Sequence, residues 1–115
     1  EGISSVIKQF SKYDIDNIII TENGSCFKDQ VENNRVHDPK RIAFFDAYMK
    51  QVLKAKNEGA PVSGYFVWSL TDNFEWSEGY EPRFGLIHVD FKTQKRTIKD
   101  SGYWFQSFLS SKENK

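Results

Sequence analysis

The sequence predicts an α/β protein with parallel strands. Three observations carry the prediction. Asn17-Ile18-Ile19-Ile20-Thr21-Glu22-Asn23-Gly24 is an apolar run of strand length that ends in a carboxylate and a glycine turn. Val62-Ser63-Gly64-Tyr65-Phe66-Val67-Trp68 is a second strand-like run. Between them lies a stretch of helical periodicity, and strands joined by such a crossover run parallel as neighbours. An apolar run without alternation reads as a strand buried on both faces. A carboxylate at the C-terminal end of such a strand stands where barrel enzymes keep their chemistry.

The elements follow in order. Ile3, Val6, Ile7, Phe10 and Tyr13 recur at helical spacing, which predicts an amphipathic helix over residues 2–13. Tyr13 to Asp16 turns into the strand at 17–22. Residues 23–37 form a polar loop rich in Asn, Asp and Lys. Asp38-Pro39 starts the next helix, with Asp38 as N-cap and Pro39 at the first helical position. Ile42, Phe45, Met49, Val52 and Leu53 make its apolar stripe, and Gly59 caps its C-terminus. Ala60-Pro61 leads into the strand at 62–68. Leu86–Asp90 and Arg96–Ile98 read as a small hairpin turned at 91–95. A last helix over 99–110 carries Trp104, Phe105, Phe108 and Leu109.

Composition excludes several classes of function. Lys plus Arg and Asp plus Glu number 16 each, so no charge imbalance points to nucleic acid. No apolar run approaches the roughly 18 residues of a membrane span. A single Cys26 leaves no intrachain disulfide and fits a reducing, cytoplasmic compartment. His37 and His88 have no companions at metal-ligand spacing, so neither metal nor cofactor is expected. Asn23-Gly24-Ser25 matches a glycosylation sequon, read here as a chance serine.

The loop after the second strand is the other informative stretch. Ser69-Leu70-Thr71-Asp72-Asn73-Phe74-Glu75-Trp76 mixes aromatics with acids and an amide. That mixture suits a sugar: ring C–H faces stack on indole, and hydroxyls bond to carboxylates and amides. Standing alone, Glu22 would read as a strand-end acid, Glu75 as a solvated loop acid, and the tryptophans as core.

Taken together these residues resemble the family 1 glycoside hydrolases, the β-glucosidases and their relatives. Ile20-Thr21-Glu22-Asn23-Gly24 is similar to that family's nucleophile motif, and Trp68 to Trp76 to its sugar-binding loop. Gly79-Tyr80, Arg83-Phe84-Gly85-Leu86, Val89-Asp90, Thr93-Gln94-Lys95-Arg96 and Lys99-Asp100-Ser101 follow in the family's order. The resemblance implies the C-terminal portion of a (β/α)8 TIM barrel: the last two strand–helix units plus a small β-hairpin. A full barrel takes about 250 residues, against 115 in this chain. Residues 1–115 are therefore expected to be a C-terminal fragment of one TIM-barrel domain, incomplete alone.

Specific roles follow from the resemblance. Glu22 is implied to be the catalytic nucleophile of a retaining mechanism, which pairs two carboxyl groups about 5–5.5 Å apart. The family's acid/base Asn-Glu-Pro does not occur in this sequence; Asn57-Glu58-Gly59 is the nearest string. The isolated chain is thus expected to be inactive. Glu75 and Trp76 are implied to hold the glycone hydroxyls, with Trp68 as the wall beneath the ring and Phe84 completing the pocket. A cis peptide between Trp68 and Ser69 is also implied. Glu75, Glu78 and the absence of lysine from Ser77 to Tyr80 favour a neutral sugar such as a β-glucoside over a sugar phosphate. The alternative is a non-catalytic fragment that self-associates or complements the missing N-terminal barrel portion.

Overall fold

The computed structural model describes residues 2–111. Its elements are α1 (Gly2–Phe10), β1 (Ile18–Asn23), α2 (Pro39–Asn57), β2 (Val62–Val67), β3 (Ile87–Val89), β4 (Arg96–Ile98) and α3 (Asp100–Ser110), with a short 3-10 turn at Trp76–Glu78. β1 and β2 pair in parallel and β3 and β4 antiparallel, as two separate two-stranded sheets. Among the described residues no helix is long and apolar enough to cross a membrane.

α1 stops at Phe10, short of the predicted 13. The Ser11 hydroxyl donates to the Ile7 carbonyl at 2.7 Å. The Lys12 and Tyr13 amides then reach back only three residues, to Gln9 and Phe10. That tightening ends the helix. Of the predicted stripe, Ile3 and Ile7 meet the core, while Val6, Phe10 and Tyr13 are exposed.

α2 begins at Pro39 as the sequence predicts, but Asp38 makes no side-chain cap bond. Its carboxylate is taken by Arg41 and Ser101 instead. The buried face of α2 is Arg41, Phe45, Met49, Val52 and Ala55; Ile42 and Leu53 are half-buried. The helix ends in paired bonds from Gly59 to Lys56 and from Ala60 to Ala55, with Gly59 at φ +102°. That left-handed position suits glycine. The loop at 23–37 is more ordered than its composition suggests. Glu32 and Arg35 pair across Asn33-Asn34, both in the left-handed region, a tight hairpin turn.

The β1–β2 sheet is covered on one face only. Ile18, Ile20, Val62 and Tyr65 pack with Ile7, Val52 and Ala55 beneath the helices. Val62 and Tyr65 share a face because the register slips between Ile18/Val62 and Ile19/Gly64. Ile19 and Phe66 point the other way, at 48% and 60% exposure. This corrects the expectation of strands buried on both faces: only the side with Ile18 and Ile20 is covered.

Candidate active site

The parallel pairing of β1 with β2 sets two strand ends side by side. Asn23 registers with Val67, and its carbonyl accepts a bond from the Trp68 amide at 2.8 Å. The Tyr65 hydroxyl donates to the Asn23 side chain at 2.5 Å, and burial pushes that phenol well above its ordinary value. Gly24 lies so close to Trp68 that an added Cβ would meet the Trp68 carbonyl oxygen at 1.8 Å. Only glycine fits that approach. Glu22, just before this junction, is exposed at the C-terminal end of β1.

From Trp68 the chain turns through a cis peptide to Ser69. Residues 69–72 then run beside β3 like a further strand. Ser69 N–H donates to the Phe84 carbonyl, Leu86 N–H to Ser69, Ile87 N–H to Leu70 and Asp72 N–H to Ile87, all between 2.9 and 3.1 Å. The Ser69 hydroxyl and the Asn73 amide both donate to the Thr71 carbonyl at 2.9 Å, which closes the inside of the loop.

These bonds bring Trp68 and Glu75 together: the indole Nε1–H donates to Glu75 Oε1 at 3.2 Å. The Glu75 backbone is pinned in turn, its N–H donating to Gly79 at 2.7 Å. Phe84 joins the group through its carbonyl bond to Ser69 and is half-buried. Trp76 opens the short 3-10 turn in the left-handed region, and its side chain is 83% exposed. Beyond it, Phe74, Tyr80 and Phe91 form a run of ring contacts with centroids 5.3 and 4.5 Å apart, and the Arg83 guanidinium lies 4.9 Å over Phe91.

Sequence reasoning missed what holds this loop in place. Asp72 is fully buried and accepts from Lys99 Nζ at 2.8 Å, Arg83 at 2.6 Å, Gly85 N–H at 3.0 Å and Val89 N–H at 3.3 Å. Lys99 also reaches Asp29 at 2.6 Å. Asp29 grips Arg41 through two bonds of 3.1 and 2.7 Å, and Arg41 meets Asp38 at 2.5 Å. The result is a buried ladder of alternating sign, Asp38–Arg41–Asp29–Lys99–Asp72–Arg83. Burial works to raise the Asp72 carboxyl, but Lys99 and Arg83 outweigh it and hold it below the usual carboxylate range. Burial likewise works against the Arg41 guanidinium, and Asp29 and Asp38 more than offset it. The one available signal was the Asp38-Pro39-Lys40-Arg41 spacing, which sets an acid and a base on one helical turn. His37 sits in the polar loop and bonds Asp100 at 2.8 Å; His88 is buried on β3. Among the described residues no His, Cys, Asp or Glu cluster has the makings of a metal site.

The sequence profile of glycosyl hydrolase family 1 matches residues 1–114. Beta-glucosidase A of Thermotoga maritima is 50% identical over 113 residues, which is 96% of this chain and 25% of that protein. A 6-phospho-beta-galactosidase of Leptotrichia buccalis is 47% identical over 113 residues, 98% of this chain and 24% of that protein. Among solved structures, the family 1 β-glucosidase from Thermotoga maritima superposes at a TM-score of 0.92 with 49% identity, over 98% of this chain and 25% of that one. The same enzyme has been solved in complex with isofagomine lactam, at the same TM-score. The chain thus spans about a quarter of the length of the relatives it matches. A profile match over nearly every residue, together with half-identical relatives, means that this chain belongs to glycosyl hydrolase family 1.

Proposed function

We propose that this chain forms the glycone-binding and nucleophile-bearing part of a retaining β-glycosidase, and that it corresponds to the last two strand–helix units of the barrel. The observation that carries the reading is the junction of β1 and β2. It sets Glu22, exposed at the end of β1, beside a loop in which the Trp68 indole bonds the Glu75 carboxylate. Glu22 attacks the anomeric carbon and forms the glycosyl-enzyme. Glu75 and Trp76 hold glycone hydroxyls, Trp68 supports the ring, and Phe84 completes the pocket. The second carboxyl group, which protonates the leaving oxygen and later activates water, comes from outside these residues. The chain alone is therefore inactive.

Both phosphorylated and neutral glycosides are named among the relatives. Glu75 favours the neutral class, because a carboxylate at the far end of the glycone repels a phosphate. No lysine from Ser77 to Tyr80 offsets it.

The test replaces the matching quarter of the Thermotoga maritima β-glucosidase with this chain. The chimera is expected to hydrolyse an aryl β-glucoside and to lose activity with Glu22→Gln. A fluoro-sugar inactivator is expected to label the peptide containing Glu22. Labelling at Glu75 would overturn the assignment of roles. Turnover by the 115-residue chain alone, abolished by Glu22→Gln, would overturn its inactivity.

A second reading is favoured by one observation, the open apolar face around Ile19 and Phe66. On that reading the chain self-associates or complements a missing barrel portion, and sugar binding is incidental.

A further inference from the structure

We propose that Asp72, Lys99 and Arg83 are positioning residues for the glycone loop, so that the buried charge ladder fixes where Trp68 and Glu75 stand. This rests on the glycosidase reading of the site. The argument begins with what Asp72 cannot do. Its carboxylate oxygens accept from a lysine, an arginine and two backbone N–H groups. Nothing is left to offer a substrate, and the side chain is fully buried. Its role has to run through the loop that carries it.

That loop is an arch. Its two feet, Trp68 and Glu75, touch each other at 3.2 Å. Asp72 lies between them in sequence and is tied inward. Through Gly85 and Val89 it grips the strand on which the loop rests. Through Lys99 it reaches the start of α3 and, by way of Asp29, the start of α2. Apolar side chains at the same places would hold the loop down but would let it slide, because burial has no direction. Paired charges with filled hydrogen-bond positions have one good arrangement, and a shift of either partner strands a buried charge. Lys99 is the joint of the ladder: its ammonium lies between Asp29 and Asp72 with no exposed surface. Arg83 closes the other end, donating both to Asp72 and to the Val89 carbonyl at 2.9 Å.

A glycone clamp needs this precision. A misplacement of 1 Å in a substrate-positioning group costs up to about 10²-fold. Loss of the Lys99 charge should therefore damage sugar recognition by moving Glu75, and not by removing a contact to the sugar.

The test is a double-mutant cycle in the active chimera, using an aryl β-glucoside. Lys99→Met is expected to lower kcat/KM by roughly 10–100-fold, mainly through KM. In a Glu75→Ala background the same substitution is expected to cost less than about 3-fold, since the group it positions is gone. An equal loss in both backgrounds would mean that Lys99 is only structural, and would overturn the proposal. A second readout needs no activity. In the 115-residue chain, hydrogen exchange of the peptide spanning residues 69–79 should quicken in Lys99→Met while the β1 peptide is unchanged. Unchanged exchange at 69–79 also overturns the proposal. If the wild-type chimera is inactive, the glycosidase reading fails and exchange alone decides whether the ladder holds the loop. Should Lys99→Met not fold, Arg83→Gln at the partly exposed end of the ladder enters the same cycle with the same expectations.

Discussion

The molecule has two halves that are finished to different degrees. The first is the β1–β2 sheet with α1 and α2 on one side. Its core is apolar, built from Ile7, Val52, Ala55 and Val62, and its other face shows Ile19 and Phe66 to solvent. The second is the loop, hairpin and α3. It is held by the buried charge ladder, and each charged group in that ladder finds its partner within this chain. The difference separates two ways of holding an interior together. Apolar faces are generic, because burial has no direction. Charge pairs are particular, and here each buried charge meets an opposite one, although the buried Arg41 Nε has no hydrogen-bond partner.

The largest expected effect comes from breaking the ladder where it is anchored at the start of α2. Arg41→Met leaves Asp29 and Asp38 buried without their guanidinium partner. Stability should fall by about 3–5 kcal/mol, read from the urea midpoint. Hydrogen exchange should show the loosening around the polar loop and α3 before the β1–β2 pair. A loss below about 1 kcal/mol, as for a solvated ion pair, would mean the ladder is ornamental and the two halves are alike.

Acid should also single out the second half. His88 is pushed below its ordinary 6.5, first by burial and then by Arg83. The unfolded chain therefore takes up a proton there before the folded one does, and stability starts to fall as pH drops below about 6.5. Asp72 is held below its ordinary 3.8, so its contribution is intact above that value and is lost as pH falls through the folded value. Asp100, lowered by Arg35 and His37, adds to the same loss. Urea midpoints at pH 7.5, 5.5 and 3.5 should decline in two steps, and His88→Gln should flatten the first. A midpoint that rises on acidification would contradict both assignments.

The smallest change in stability is expected on the open sheet face. Ile19→Lys with Phe66→Lys should shift stability by only about 0.5 kcal/mol, as at other surface positions. Sedimentation should nevertheless show wild-type chain associating at micromolar concentration and the double variant staying monomeric. A monomeric wild type that unfolds cooperatively would mean that the open face needs no partner.

How much of this was readable beforehand follows the same division. Helices and strands were found because apolar period and caps are local: Pro39 opened α2, and Gly59 closed it. Boundaries slipped where a side chain turned on the backbone, as Ser11 does on Ile7. The strand ends and the aromatic loop pointed to the proposed site because their order matched a family. The ladder stayed hidden because its pairs are remote in sequence: Lys99 meets Asp29 and Asp72, and Asp38 meets Ser101. A charged residue in a sequence looks solvated by default. Asp38 shows the cost of that default, since an acid in the right place for a cap was committed elsewhere.

The closure of the ladder within one stretch of chain bears on how members of this family can be recombined. A crossover between two parent genes that falls between Asp29 and Lys99 would mix acids from one lineage with bases from another, all but Arg83 packed away from water. Each mismatch in side-chain length or angle would leave a charge stranded. A breakpoint in the exposed turn before β1 hands the whole set over intact. Shuffled libraries should therefore recover active hybrids chiefly with joints on that N-terminal side, with inheritance of the loop at residues 69–79 as a block.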